Sequence, residues 1–328
     1  MRSSPRSAAG AIRFAAAALI VLAASAADAR LCGDDVGGQD VPCRCGDIVV
    51  SDVALAGDPV TRERCAGDAL LVRASRGLAQ LHIDLTGATL RGGRRGVGIR
   101  ILDGGASGAV VFASGSPGRI EGFRDGLVSQ ARRLGLAELH GLHVHGAARD
   151  GVRLYGDGRL VREVEVTNAG RDGIFLRGDG WTLEGVVARQ NGRHGVSLMG
   201  SEVLARAPAG GISLRAEGNG ADGIRFWGDG NLLFDCAASG TRASGIALNG
   251  LEFDVRGCEA TANAGGGLVR STSRARFSGI QASGNFDEGI AVHGHEVFDA
   301  GANAGSGNAP SDESAQAIQC RLGLEPCL

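Results

Sequence analysis

The amino-acid sequence predicts an all-β protein that folds as one right-handed parallel β-helix, a solenoid of coils each about 22 residues long. Three observations predict this fold class. A glycine recurs at near-constant spacing, a short apolar alternation follows it, and two apolar columns precede it at fixed distances. Glycine, at 56 of 328 residues, recurs too often for long helices, and it lacks the strict triplet period of collagen.

The repeat is defined by glycines that directly precede an aliphatic residue, here called marker glycines. They are Gly126, Gly151, Gly173, Gly195, Gly223, Gly245, Gly267 and Gly289. Their successive spacings are 25, 22, 22, 28, 22, 22 and 22 residues. A constant period of this kind is typical of repeat architectures, in which each unit buries its apolar residues only against its neighbours.

Short strands follow from the apolar residues around each marker glycine. Ile174 and Leu176 lie one and three residues after Gly173, and this period of two predicts a strand with one buried face. Further apolar residues recur nine and seven positions before each marker, so each coil is predicted to contain at least two strands. Asparagines four residues before several markers are expected to stack as a ladder in the turn. These are Asn191, Asn219, Asn263 and Asn285.

The segment from Asn191 to Leu198 resembles a repeat unit of the secreted right-handed β-helix proteins of the pectate-lyase-like superfamily. The resemblance covers roughly residues 45 to 295, and its N-terminal part is similar to the first coil of that family. It implies the fold but no single activity, because the superfamily contains lyases, hydrolases, epimerases and non-catalytic surface proteins. The sequence lacks the Gly-His-Gly motif of polygalacturonases, a clear pectate-lyase calcium constellation and the Asp-Pro-His signature of alginate epimerases.

The N-terminus has the features of a secretory signal peptide. Arginines precede an apolar stretch from Phe14 to Ala24, and the triplet ending at Ala29 offers a cleavage site, with the one ending at Ala26 as the alternative. The predicted organisation is a signal peptide (1–29), a disulfide-stapled cap and first coil (30–70), the β-helix (71–298) and a C-terminal cap or tail (299–328). The mature protein is expected to be secreted or periplasmic, without a membrane span.

Eight cysteines fit an oxidising compartment, and most lie near the ends of the chain. We expect the pairs Cys32–Cys43, Cys45–Cys65 and Cys320–Cys327 to staple the two ends of the solenoid. Cys236 and Cys258 are 22 residues apart and replace aliphatic residues in one inward column. Because side chains in a parallel stack point the same way, we expect these two to be buried thiols that are unbonded or only marginally able to bond.

The outward residues of the strands after the marker glycines form the candidate binding face. Its candidate residues are Arg153, Tyr155, Phe175, Arg177, Arg225, Trp227, Asn249 and His293. Aromatic rings stack on sugars, and planar guanidinium groups grip carboxylates. The face predicts an exported protein that binds, and could process, an acidic polysaccharide or cell-surface glycan. Solvent-facing strand positions also accept such residues without any function. A formal net charge of −2 argues against a nucleic-acid partner.

Two alternative functions stay open. The first is a non-catalytic structural or adhesive surface protein, with the coils acting as a rigid rod. The second is a periplasmic metal-handling accessory, because His143 and His145 point outward from one strand and Glu165 takes the position of His143 in the next coil. No cofactor is required, although aspartates beside the marker glycines are compatible with calcium and the histidines with a transition metal. Asp-Gly is equally ordinary turn chemistry.

The spacing of 28 between Gly195 and Gly223 indicates an insertion of six residues. The extra residues fall within the range from Ser201 to Gly211. We expect them to form a loop beside the face that carries Tyr155 and Trp227, where the loop would be one wall of a binding groove.

Overall fold

The computed structural model describes residues 29–73, 80–102, 108–130, 136–158, 160–208, 211–294, 296–308 and 319–321. Within these residues the chain winds as a right-handed parallel β-helix with three parallel sheets, which confirms the predicted fold class. The only helix of the described residues is the single turn Pro59–Arg62. The signal-peptide residues 1–28, the side chain of Cys320 and all of Cys327 lie outside the described residues.

The marker sheet contains the strand that follows each marker glycine. In the described residues it has 13 strands. They are Leu31–Cys32, Asp47–Val49, Leu70–Val72, Val97–Ile101, Asp125–Ser129, Val152–Tyr155, Ile174–Arg177, Val196–Met199, Ile224–Trp227, Ile246–Leu251, Leu268–Ser273, Ile290–His293 and Gln319–Arg321. Neighbouring strands are in register residue for residue, so Val152 pairs with Ile174 and Tyr155 with Arg177.

The second sheet follows the marker sheet in each coil, and the third sheet completes the coil. The described strands of the second sheet are Val53–Ala54, Leu81–Asp84, Ala109–Phe112, Leu136–His140, Leu160–Arg162, Thr182–Glu184, Leu204–Ala205, Leu232–Phe234, Asp254–Arg256, Ala275–Ser278 and Val297–Asp299. Those of the third sheet are Arg64–Cys65, Thr89–Gly92, Gly118–Glu121, Leu142–His145, Glu165–Thr167, Val186–Arg189, Leu214–Glu217, Cys236–Ser239, Glu259–Thr261, Gln281–Ser283 and Ala304–Ser306. Paired strands continue past residue 299, in Ala304–Ser306 and in Gln319–Arg321.

The core is a set of inward columns in which each aliphatic side chain packs on its equivalents one coil away. Ile174, Val196 and Ile224 are consecutive members of one such column, and all three are fully buried. Burial of one such side chain stabilises the fold by about 1.5–3 kcal/mol. Because no coil can bury these residues alone, stacking holds the solenoid together.

Marker glycines are required because the coils approach closely beside them. A Cβ atom on Gly195 would lie 2.6 Å from the carbonyl oxygen of Gly223 and 2.7 Å from Nδ2 of Asn219. The asparagines form the expected buried ladder: Nδ2 of Asn263 donates to Oδ1 of Asn285 at 2.8 Å, and Nδ2 of Asn285 donates to Oδ1 of Asn308 at 2.8 Å. The ladder satisfies backbone donors and acceptors that the turn would otherwise bury unpaired.

Three disulfides occur in the described residues. Cys32 is bonded to Cys43 and Cys45 to Cys65, the two pairs expected at the N-terminal end. Both cysteines are buried, as expected, but Cys236 is bonded to Cys258, so the expectation of thiols that are unbonded or only marginally able to bond was wrong. The α-carbons of Cys236 and Cys258 are 4.4 Å apart, which is within the range that a disulfide tolerates. This third bridge is buried and ties two adjacent coils together in the interior.

The six-residue insertion lies away from the marker sheet. Ala205 ends a strand of the second sheet and Leu214 begins one of the third, so the extra residues belong to the corner between those two sheets. Pro208 of this connection lies 3.7 Å from the position of a Cβ atom on Gly185, which is at the same corner. The expected loop beside Tyr155 and Trp227 is therefore wrong, and the insertion does not wall the marker sheet.

Candidate functional site

The outward face of the marker sheet carries two columns of side chains, one residue per coil in each. The first column runs Arg153, Phe175, Ser197, Arg225 and Ala247, and the second runs Tyr155, Arg177, Met199, Trp227 and Asn249. We call these two columns the marker face. The structure thus brings together seven of the eight candidate binding residues. His293 continues the second column in backbone register, through Ser271, but its side chain is outside the described residues.

Aromatic rings and guanidinium groups contact each other on the marker face. The ring centroids of Tyr155 and Phe175 are 5.8 Å apart. The guanidinium carbon of Arg225 lies 4.1 Å from the ring centroid of Trp227, the geometry of a cation–π contact. Trp227 is 41% exposed, so its other surface is free to meet a ligand.

A buried polar column lies at the edge of the marker face, formed by the residue directly before each marker glycine. Its consecutive members are Asp125, Asp150, Asp172 and His194, which are buried, and Asp222, which is partly exposed. Aspartates of this column accept backbone hydrogen bonds from the next coil, as Asp172 does from the N–H of His194 at 3.3 Å. These contacts explain much of the Asp-Gly pattern as structure, and they place carboxylates under the marker face.

Arg153 joins the marker face to this buried column. Its guanidinium nitrogens lie 3.7 Å from Asp125 and 3.4 Å from Asp150. Arg153 is therefore an ion-pair partner of buried carboxylates as well as a candidate for ligand contact. Among the described residues, Oδ1 of Asp150 and Nε of Arg153 have no hydrogen-bond partner although both atoms are buried.

Burial raises the pKa of the Asp150 carboxyl above its ordinary value. The charges of Arg153 and Arg171 act in the opposite direction, and those of Asp172 and Asp125 add to the increase. A buried carboxyl with a raised pKa beside a concave surface is a feature that functional sites share with structural networks.

Four arginines form a rim parallel to the marker face, at the position two residues before consecutive marker glycines. They are Arg124, Arg149, Arg171 and Arg193, here called the arginine rim. Their backbones are joined coil to coil, the N–H of each donating to the carbonyl of the one before at 2.7–2.9 Å. Between rim and marker face lies a concavity of about 130 Å³, lined by Asp150, Arg153, Tyr155, Arg171, Asp172, Phe175, Arg193, Ser197 and Met199.

The histidine cluster lies on the third sheet, on another side of the solenoid. His143 pairs with Glu165 in register, as predicted, and Nε2 of His143 lies 3.7 Å from the Glu165 carboxylate. Glu165 is also held by Arg189 at 2.9 Å, while Nδ1 of His145 contacts the Thr167 hydroxyl at 2.8 Å. Two shallow concavities of about 360 and 300 Å³ share this surface.

His145 thus contacts Thr167, while His143 and Glu165 lie next to each other. In the part of the chain that the structure describes, no group of three or more His, Cys, Asp or Glu side chains is arranged to hold a metal ion. His295, which with His293 repeats the His-x-His spacing of His143 and His145, lies outside the described residues.

Sequence reasoning missed two features of the site. The aspartates of the buried column were interpreted as turn residues or calcium ligands, and neither the arginine rim nor His194 was considered as part of a binding site. The available signal was the position itself, because residues at a constant offset from the marker glycine must stack.

Comparison with known proteins supports the fold. The family described as "Right handed beta helix region" matches residues 211–309. No curated protein matches the sequence. In the described residues, no helix is long and apolar enough to cross a membrane.

Three solved structures illustrate the similarity. The A-module of a mannuronan C-5 epimerase from Azotobacter vinelandii is 14% identical, covers 84% of this chain and 88% of its own, and has a TM-score of 0.44. A pectate lyase is 18% identical; the match covers 82% of this chain and 65% of the lyase, with a TM-score of 0.35. A tailspike protein of bacteriophage CBA120 is 10% identical; the match covers 90% of this chain and 57% of the tailspike protein, with a TM-score of 0.41. At these identities the likeness concerns the fold alone.

Proposed function

We propose that this protein, a right-handed β-helix of the pectate-lyase-like superfamily, is an exported protein that binds an acidic polysaccharide along its marker face. The observation that carries the proposal is the arginine rim running parallel to the aromatic residues of that face. The rim repeats once per coil, at about 4.8 Å, a distance comparable to the length of one sugar ring. Aromatic rings occupy three of the four coils from Tyr155 to Trp227.

The side chains of the marker face and of the arginine rim support an anionic sugar chain as the ligand. The rings of Tyr155, Phe175 and Trp227 offer flat surfaces on which sugar rings pack. Nε of Arg171 lies 3.8 Å from the Asp150 carboxylate, and Nε of Arg193 lies 3.8 Å from that of Asp172. At this distance the carboxylates do not saturate the N–H donors of the two arginines. Their guanidinium groups retain N–H donors for the carboxylates of a sugar chain.

Export is part of the proposal. Three disulfides among the described residues fit an oxidising compartment such as the periplasm or the cell exterior. The binding function needs no cofactor, so a chelator should leave the affinity unchanged; a loss of binding on chelation would instead favour calcium or a transition metal.

The experiment is a binding titration of the full mature chain with polygalacturonate and with neutral dextran. Trp227→Ala should weaken polygalacturonate binding by about tenfold, equivalent to ~1.4 kcal/mol. The matched control is Phe298→Ala: Phe298 is 51% exposed and contacts Arg276 at 5.4 Å, but it lies on the second sheet. Equal losses in both variants, or no preference for polygalacturonate over dextran, would contradict the proposal.

Processing of the polysaccharide is a second candidate, supported by the raised pKa of Asp150 in the concavity beside Tyr155. A lyase releases unsaturated products that absorb ultraviolet light, so continuous absorbance with polygalacturonate and alginate tests this activity. Asp150→Asn should abolish any turnover while leaving binding intact. Binding without turnover in the unaltered protein would favour the adhesive or structural alternative.

A further inference from the structure

His194 interrupts the buried column of aspartates at the edge of the marker face. It occupies the position that Asp172 and Asp222 take in the coils before and after it. His194 is only 6% exposed, and its two ring nitrogens face different groups. Nδ1 lies 3.4 Å from the Asp222 carboxylate, and Nε2 lies 2.8 Å from Nη1 of Arg225.

The protonation state of His194 follows from this contact. A guanidinium group can only donate, so Nε2 at 2.8 Å must accept the hydrogen bond. The imidazole is therefore neutral, with its proton on Nδ1, which lies 3.4 Å from the Asp222 carboxylate and makes no hydrogen bond among the described residues. The other charged groups around the ring are Asp172, which accepts the backbone N–H of His194 at 3.3 Å, and Arg193, which lies 3.8 Å from Asp172.

Arg153 provides an internal comparison, because it occupies the same column of the marker face as Arg225. Arg153 contacts a carboxylate of the preceding coil, Asp125, and one of its own coil, Asp150. For Arg225 the equivalent positions are His194 and Asp222, and it is the neutral imidazole that holds the guanidinium. Arg225 is thus fixed over Trp227 by a partner that does not neutralise its charge.

We propose that His194 is a positioning residue that holds Arg225 over Trp227 with its charge available to an anionic sugar, and that protonation of His194 releases Arg225. A proton on Nε2 replaces the acceptor by a donor and sets two cations against each other at 2.8 Å. The new positive charge of the imidazole lies beside the Asp222 carboxylate, while the Arg225 guanidinium loses its fixed position. This inference rests on the proposed binding of an acidic polysaccharide, and it makes that binding weaker in acid.

The test is the affinity for polygalacturonate, whose carboxylates stay ionised, at about pH 8 and about pH 5. The unaltered protein should bind about tenfold more weakly at the lower pH, the scale of one charge-assisted hydrogen bond. His194→Gln keeps an acceptor oxygen but cannot titrate, so it should bind tightly at both values. His194→Ser is too short to reach Arg225 and should bind weakly at both; serine is tolerated here, since Ser244 occupies the same position in a later coil.

The inference is overturned if His194→Gln keeps the pH dependence of the unaltered protein, or if His194→Ser binds as tightly as the unaltered protein at pH 8. Other histidines cannot mimic the effect, because they are present in all three proteins.

A ligand-free readout separates this inference from the proposed function. In a Trp181→Phe background, Trp227 is the only tryptophan, and its fluorescence reports the cation over its ring. Phe253 fills the same inward column as Trp181, so the background variant should fold. The emission should change between pH 8 and pH 5 with His194 and stay constant with His194→Gln. If it does so while no variant binds polygalacturonate, the positioning role stands and the proposed function fails. If emission is identical in all variants, the positioning role fails even where binding persists.

Discussion

The disulfide between Cys236 and Cys258 should make a measurable contribution to stability, and valine at both positions isolates it. The inward column already holds Val164 and Val186 in successive coils, so a valine pair fits the same packing. Replacing Cys236 and Cys258 by valine therefore removes the cross-link while keeping apolar contact between the coils. An alanine pair at the same positions would add a cavity, and the difference between the two double variants measures packing alone.

The expected magnitude follows from the length of chain that the bridge closes. The two cysteines are 22 residues apart. In the chain-entropy picture, closing a loop of that length lowers the entropy of the unfolded chain by about 11 cal/mol/K, or ~3.4 kcal/mol at 25 °C. The valine pair should lower the free energy of unfolding by about this amount.

Urea unfolding followed by circular dichroism measures the global effect. Hydrogen exchange of the strands Cys236–Ser239 and Glu259–Thr261 measures the opening of the two coils directly. Unchanged urea midpoints together with unchanged exchange in these strands would refute the reasoning. Alkylation of Cys236 and Cys258 in the denatured, unreduced protein would show that the bridge between them does not form.

Three further predictions concern packing, charge and the insertion. Gly195→Ala should destabilise the fold by about 2 kcal/mol or more in urea unfolding, because its Cβ atom would meet the carbonyl oxygen of Gly223 at 2.6 Å. Gly67→Ala, where a Cβ atom meets nothing within 4 Å, should be near neutral, and equal effects would contradict the packing argument. Because burial raises the pKa of Asp150, the folded protein binds that proton more tightly than the unfolded chain does. The stabilisation is thus fully present below the unfolded pKa of about 3.9 and is lost as the pH rises through the raised value. Relative to Asp150→Asn, the unaltered protein should lose stability as the pH rises above about 4; a relative gain would show that the arginines prevail over burial. Finally, shortening the connection between Ala205 and Leu214 by six residues should leave polygalacturonate affinity unchanged, since this corner is remote from the marker face. A clear loss of affinity in that variant would mean that ligand reaches the second and third sheets.

The sequence by itself determined the architecture, because a solenoid repeats its local constraints at a fixed period. Marker glycines, inward aliphatic columns and the asparagine ladder each depend on equivalent positions one coil apart. Their spacing is therefore sufficient to predict which residue stacks on which. The same logic placed Glu165 beside His143 and brought Tyr155 and Trp227 to one face.

Only the tertiary structure decided what lies at the corners of the coil and which way side chains turn. Many strands of the second sheet have only two or three residues with one inward side chain, such as Leu183, so these short strands show no alternation. Without that sheet, the insertion was assigned to the wrong corner. The bridge between Cys236 and Cys258 and the contact between His194 and Arg225 depend on side-chain directions between neighbouring coils. A period in sequence specifies which residues are neighbours, but bonding between neighbours requires distances and angles that only the folded chain supplies.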